Sequence, residues 1–133
     1  MNDPAATRPL PLAAADVQAA RRPIASLIGK SAKAQQKLAP ETWQYKMLRD
    51  NLRALRLAEA LLDGQTAAAA GFAPEDLPAA LRALAAMAAK TEPALAKFPP
   101  GTSQHTLSRN RLQALRTATA LIQAESGKNS DRL

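Results

Sequence analysis

The sequence lacks cysteine and has one histidine, four aromatic residues and only four valine or isoleucine residues. Without cysteine there are no disulfides and no thiolate chemistry, and a single histidine excludes the usual zinc sites. Strands draw on β-branched and aromatic residues, so their scarcity argues against a sheet. No basic start is followed by an apolar run, and no stretch approaches the roughly 18 to 20 apolar residues of a membrane span. We therefore expect neither a secretory signal nor a membrane span, and a cytoplasmic protein.

Alanine and leucine dominate what is present, with 32 and 19 of the 133 residues. Both are strong helix formers, so the composition predicts an all-α protein, and the length suits a single domain. Lysine and arginine number 18 against 11 acidic residues, which gives a net charge of +7. This excess favours an anionic partner but does not identify one.

An internal repeat organises the chain. Residues 15–64 align without gaps on residues 75–124, with 19 identities in 50 positions, of which 12 are not alanine pairs. We interpret this as a duplicated helical hairpin. One hairpin alone has an apolar face that it cannot bury, so two hairpins should pack as a pseudo-twofold bundle of four main helices. The predicted bundle covers 15–124, with a linker at 65–74 that acts as a hinge, a disordered arm at 1–14 and a disordered tail at 125–133.

Capping residues and breakers predict the helix boundaries. Asp16 and Asp76 are expected to cap the first helix of each unit. Near Gly29 that helix is predicted to bend or to break into two. The N-cap residues Ser31 and Thr91 occupy equivalent positions there, and Pro93 is tolerated in the turn that follows. Proline turns at residues 40 and 100 then precede the longest helices, with Thr42 and Thr102 as N-caps and ends near Gly64 and Gly127.

Apolar residues at helical spacing predict the core. The first-helix stripes are Val17, Ala20, Ile24 and Leu27, and Leu77, Ala80, Leu84 and Met87. The long-helix stripe is Met47, Ala54, Leu55, Ala58, Leu61 and Leu62, with Leu52 at the margin and the equivalent residues of the second unit.

Catalytic chemistry needs a convergent set of titratable groups, and the sequence offers few. His105 aligns with Tyr45, which favours a surface or boundary position over a general base. Glu59 and Asp63 share a helix face but lack further metal ligands. We expect a non-enzyme with no metal site and no cofactor.

Positive charge recurs in the repeat more than negative charge does. Five of the six basic residues of the second unit align with basic residues of the first. These ten candidate binding residues are Arg22, Lys30, Lys37, Arg49, Arg56, Arg82, Lys90, Lys97, Arg109 and Arg116. The arginines at 49 and 56, and those at 109 and 116, are seven apart and opposite the core stripe, so each pair forms a row along a helix. As a phosphate-binding surface, these four should be exposed and free of carboxylate partners.

Two hypotheses of function follow. The first is a binding module that contacts nucleic-acid phosphates through the arginine and lysine rows without reading sequence. The second is a protein-interaction adaptor or inhibitor for an acidic partner protein, with Trp43 and Tyr45 as anchors. Trp43 is expected first of all to cover a gap beside the Pro40 turn, and the alternative is that it serves as a stacking or partner anchor. The oligomeric state is left open.

Overall fold

A computed structural model describes residues 13–131, with side chains up to residue 128. Within this range the chain forms four helices and no strand: α1 (Ala14–Gln36), α2 (Trp43–Leu62), α3 (Asp76–Lys97) and α4 (Ser103–Asp131). The all-α fold predicted from composition is confirmed. None of the helices in this range is long and apolar enough to span a bilayer.

The helices pack in a ring. Each helix contacts the next, α4 contacts α1, and α2 and α4 also pack across the centre, whereas α1 and α3 do not touch in the described range. Neighbouring helices run in opposite directions. Arg21 of α1 binds Asp63 just after α2, and Arg53 and Met47 of α2 contact Asp76 and Lys90 of α3. Consequently α2 and α4 are parallel, and both tight turns, 37–42 and 97–102, lie at one end of the bundle. We call it the turn end, and the other the linker end.

The first helix of each hairpin is continuous, so of the two alternatives predicted near Gly29, a bend or a break, the break is wrong. Ser31 lies inside α1, and the Thr91 hydroxyl donates to the Met87 carbonyl at 2.8 Å, so neither residue acts as an N-cap. This back-bond to the preceding turn is the usual way a helix interior accommodates threonine. Tertiary packing along the full length of both helices outweighs the weak local signals to stop.

The predicted caps of the long helices are confirmed. Thr42 and Thr102 each accept a hydrogen bond from the backbone N–H three residues later, at 3.2 Å in both cases. The helix α2 ends at Leu62, and Gly64 follows with φ 87°, in the left-handed region that favours glycine. The prediction that Asp16 and Asp76 are N-caps is wrong, because the N-cap residues of α1 and α3 are Ala13 and Glu75.

The core follows most of the predicted stripes, although Val17, Leu27, Met87 and Leu121 are only partly buried against it. Eighteen apolar residues are buried in the described range, including Ile24, Leu55, Leu84 and Leu115. Leu57, which the stripe omitted, is fully buried because α2 is covered by three other helices. Met47 is only half-buried, and its counterpart Leu107 is 47% exposed.

The linker packs against the bundle instead of forming a loose hinge. Ala67 is buried, its N–H donates to the Glu125 carboxylate at 2.9 Å, and its carbonyl accepts from Phe72 at 2.9 Å. The tail prediction also differs from the structure, because α4 continues past Gly127 to Asp131. The Glu125 contact with the linker supports this extra length of helix. The predicted arm at residues 1–12 lies outside the described residues.

Candidate functional site

Positive charge is concentrated at the turn end. We define this end as residues 30–51 and 90–111, two segments related by the 60-residue repeat. It holds nine basic and three acidic residues, whereas the rest of the described side chains hold seven and six. The nine are Lys30, Lys33, Lys37, Lys46, Arg49, Lys90, Lys97, Arg109 and Arg111. Eight of them are exposed and Arg111 is half-buried, so the bundle is polarised along its length.

The four row arginines are exposed, as predicted, but two have acidic partners. Arg49 contacts its neighbour Asp50 at 3.3 Å, and Arg116 contacts Glu92 of α3 at 3.8 Å. The prediction that these two lack carboxylate partners is wrong. Spacing within one helix cannot reveal Glu92, which comes from another helix. Among the described side chains, Arg56 and Arg109 form no ion pair.

The two rows lie on opposite sides of the molecule. The buried faces of α2 and α4 pack against each other, and each row runs along the face opposite its buried one. A single surface made of all four arginines is therefore not formed. The helix directions instead divide the ten candidate residues by end. Six lie at the turn end, and the other four, Arg22, Arg56, Arg82 and Arg116, lie towards the linker end.

A groove of about 490 Å³ lies between α2 and α3, which we call the α2–α3 groove. Alanines from both helices line it, and Trp43 and Phe72 lie at its two ends. Charged side chains also line it: Lys46, Asp50, Arg53, Asp76 and Arg82. Sequence reasoning missed this groove, because it depends on which faces of two helices meet.

Side chains at the Phe72 end of the groove contact one another. The Arg53 guanidinium lies 5.0 Å from the centre of the Phe72 ring and contacts the Asp76 carboxylate at 3.1 Å. The same carboxylate accepts a hydrogen bond from the Ala73 N–H at 2.7 Å. This backbone bond, with the Arg53 charge and hydrogen bond, lowers the pKa of Asp76 despite the opposing effect of desolvation.

The Trp43 end of the groove is open. Trp43 is 67% exposed, so the prediction that it covers a gap is wrong. Lys46 lies one turn further along α2, and the Lys90 ammonium lies 3.9 Å from the Met47 sulfur. Tyr45 does not join Trp43, because residues two apart on a helix point about 200° apart.

A smaller groove of about 200 Å³ lies between α1 and α4. Most of its lining residues lie 60 positions from lining residues of the α2–α3 groove, among them Asp16, Ala20 and Ala114. Ser103 takes the position of Trp43 in this part of the chain. The two grooves are thus lined mostly by aligned positions, but only the α2–α3 groove is lined by aromatic residues.

Two further residues complete the turn end. His105 is half-buried in the first turn of α4, the boundary position that the sequence predicted. The Arg111 Nε is buried, with no hydrogen-bond partner in the described part of the chain. The sequence analysis left Arg111 out of the candidate residues because the residue that aligns with it, Asn51, is uncharged. That same difference between the two units could have singled Arg111 out.

Within residues 13–128 no group of three or more His, Cys, Asp or Glu side chains lies close enough to hold a metal ion. No protein-family model, curated protein or solved structure matches the chain.

Proposed function

We propose that the protein is a non-catalytic module whose turn end binds the phosphate backbone of nucleic acid without reading its sequence. The observation that carries the proposal is the excess of nine basic over three acidic residues at that end. Cations that neutralise phosphates release counterions, and this supplies most of the free energy of non-specific binding. We place this activity in the cytoplasm.

The state of these cations supports the proposal. Of the nine, only Arg49 forms an ion pair with another described side chain. An unpaired guanidinium or ammonium has no ion pair to break when it binds a phosphate, whereas a paired one must first lose its partner. The buried and unpartnered Arg111 Nε is a further donor without an acceptor, and leaving such a group unsatisfied costs about 1 to 3 kcal/mol.

We also propose that the bundle consists of two copies of one hairpin related by a pseudo-twofold axis along the helices. The supporting observations all recur at an offset of 60 residues: the threonine caps, the buried positions of α2 and α4, and the two grooves. Such an axis passes through the turn end. It relates three pairs of basic residues at that end, Lys30 with Lys90, Lys37 with Lys97 and Arg49 with Arg109, which suits a ligand with repeated charges.

The test compares two triple variants that remove the same charge from different ends. Lys30→Gln, Lys37→Gln and Lys97→Gln alter the turn end, and Arg22→Gln, Arg56→Gln and Arg116→Gln alter the remainder. Fluorescence anisotropy with a labelled oligonucleotide, single-stranded or duplex, gives the affinity at several salt concentrations. The turn-end variant should reduce the slope of log affinity against log salt by about 2 to 3, following roughly 0.7 to 0.9 per lost phosphate contact.

The control variant should reduce the slope by less than about 1, because its arginines lie outside the proposed contact. Equal losses in both variants would show that net charge alone matters and would contradict the proposal. Failure of the unaltered protein to bind either oligonucleotide at low salt would overturn it. Binding to polyglutamate in place of oligonucleotides would favour the second hypothesis, an acidic protein partner.

A further inference from the structure

We propose that Trp43 is a stacking platform that makes the module prefer single-stranded nucleic acid, with one base held at the open end of the α2–α3 groove. This inference rests on the proposed function, since it names the form of nucleic acid that the turn end binds. It adds a binding residue whose action is not electrostatic.

The exposure of Trp43 is the first observation. Tryptophan has the largest apolar surface of any side chain, and 67% of Trp43 is exposed at the start of α2. The fold does not need an aromatic residue here, because Ser103 holds the equivalent position at the start of α4. An exposed aromatic with no role in the core is typical of a contact surface.

The surroundings of Trp43 indicate the chemistry of the ligand. The α2–α3 groove has a volume within the range of small-ligand sites and an alanine-rich lining that a flat apolar ring can approach closely. Lys46 lines the groove and Lys90 contacts Met47, which also lines it, and neither lysine forms an ion pair within the described side chains. A nucleotide presents a flat base beside a negatively charged phosphate. An acidic peptide presents negative charge without a flat ring.

The two ends of the groove differ in their aromatic residue. Phe72 is in contact with Arg53, which also binds Asp76, whereas Trp43 is 67% exposed and offers a free face. Bases in a duplex are stacked on each other and do not offer a free face. Bases of a single strand do, and stacking on an aromatic side chain commonly contributes enough to change affinity several-fold to about a hundredfold.

The test uses the fact that Trp43 is the only tryptophan of the chain, so its fluorescence reports this position alone. Titration with oligothymidylate should quench the emission and saturate at the concentration at which anisotropy saturates. A duplex of equal length should bind without quenching. Trp43→Ala should weaken single-strand binding by on the order of tenfold and leave duplex binding unchanged, while Trp43→Phe should restore most of the loss.

Leu107→Ala is the matched control, because Leu107 is the other large apolar residue exposed in the described range. It should not change either affinity. If oligothymidylate binds without quenching and Trp43→Ala binds normally, the stacking proposal is overturned while the charge test can still support the proposed function. If polyglutamate quenches Trp43 and oligothymidylate does not, Trp43 serves a protein partner and the inference is wrong.

Discussion

At the scale of single residues, Asp76 differs in its contacts from Asp16, the residue that aligns with it in the sequence. Its carboxylate joins three parts of the chain: the linker at Ala73, α2 at Arg53 and α3, to which it belongs. The counterpart, Asp16, lies in the first turn of α1, whose N-terminus has no side-chain cap. The repeat therefore preserves the residue but not its contacts.

We predict that Asp76 contributes stability that depends on pH. Its pKa in the folded protein lies below the ordinary 3.8, so the charged form is favoured by folding. The contribution is complete above about pH 5, where the unfolded carboxyl is also ionised, and is lost as the pH falls through the folded pKa. Asp76→Asn should lower the melting temperature at pH 7, measured by circular dichroism, and flatten its decline in acid. Asp16→Asn should do neither, and equal effects of the two would contradict this assignment.

Contacts local in sequence were predictable at this scale, and contacts between elements were not. Thr42 and Thr102 follow from a rule about the first turn of a helix, which needs no tertiary information. The pairing of Arg53 with Phe72 and Asp76 joins side chains from three elements, and Arg116 with Glu92 joins two helices. No spacing in the sequence encodes these contacts.

At the scale of elements, α2 and α4 are central and α1 and α3 are peripheral. A stripe drawn for a surface helix is too narrow for a central one, which explains why Leu57 was omitted although it is fully buried. The predicted alternative of a break at Gly29 fails for a different reason. Glycine and Ser31 are weak signals to end a helix, and the packing of α1 against α2 and α4 outweighs them.

We predict equal losses of stability for Leu55→Ala and Leu115→Ala. Both side chains are fully buried at equivalent positions of α2 and α4, so each change should cost about 2 to 5 kcal/mol in the free energy of unfolding. Urea denaturation measures both. Leu107→Ala, at an exposed position, should cost far less. A loss below about 1 kcal/mol at either buried leucine would show that its helix is not central.

At the scale of the whole molecule, helix direction decides what the charges can do. The repeat predicted two basic rows but not that they face opposite ways, because a constant offset does not fix how two helices pack. The same directions gather residues from both tight turns at one end. Basic residues that are far apart in the sequence therefore lie together at one end of the bundle.

We predict that the four row arginines separate by end rather than by row. Arg49→Gln with Arg109→Gln should weaken oligonucleotide binding more than Arg56→Gln with Arg116→Gln, because the first pair lies at the turn end. Both double variants should unfold within about 1 kcal/mol of the unaltered protein, since the side chains are exposed. Equal binding losses, measured by anisotropy at constant salt, would refute the division into ends.

The position of the linker has a consequence for how the chain is connected. The loop between the hairpins, the start of α1 and the end of α4 all lie at the linker end, far from the basic turn end. The order of the two hairpins along the chain therefore depends on which helix ends are covalently joined, and the packing of the helices does not require that order. We expect a circular permutant, opened in that loop on a side that keeps the bond between Ala67 and Glu125 and rejoined between α4 and α1, to retain the helix packing and the basic end.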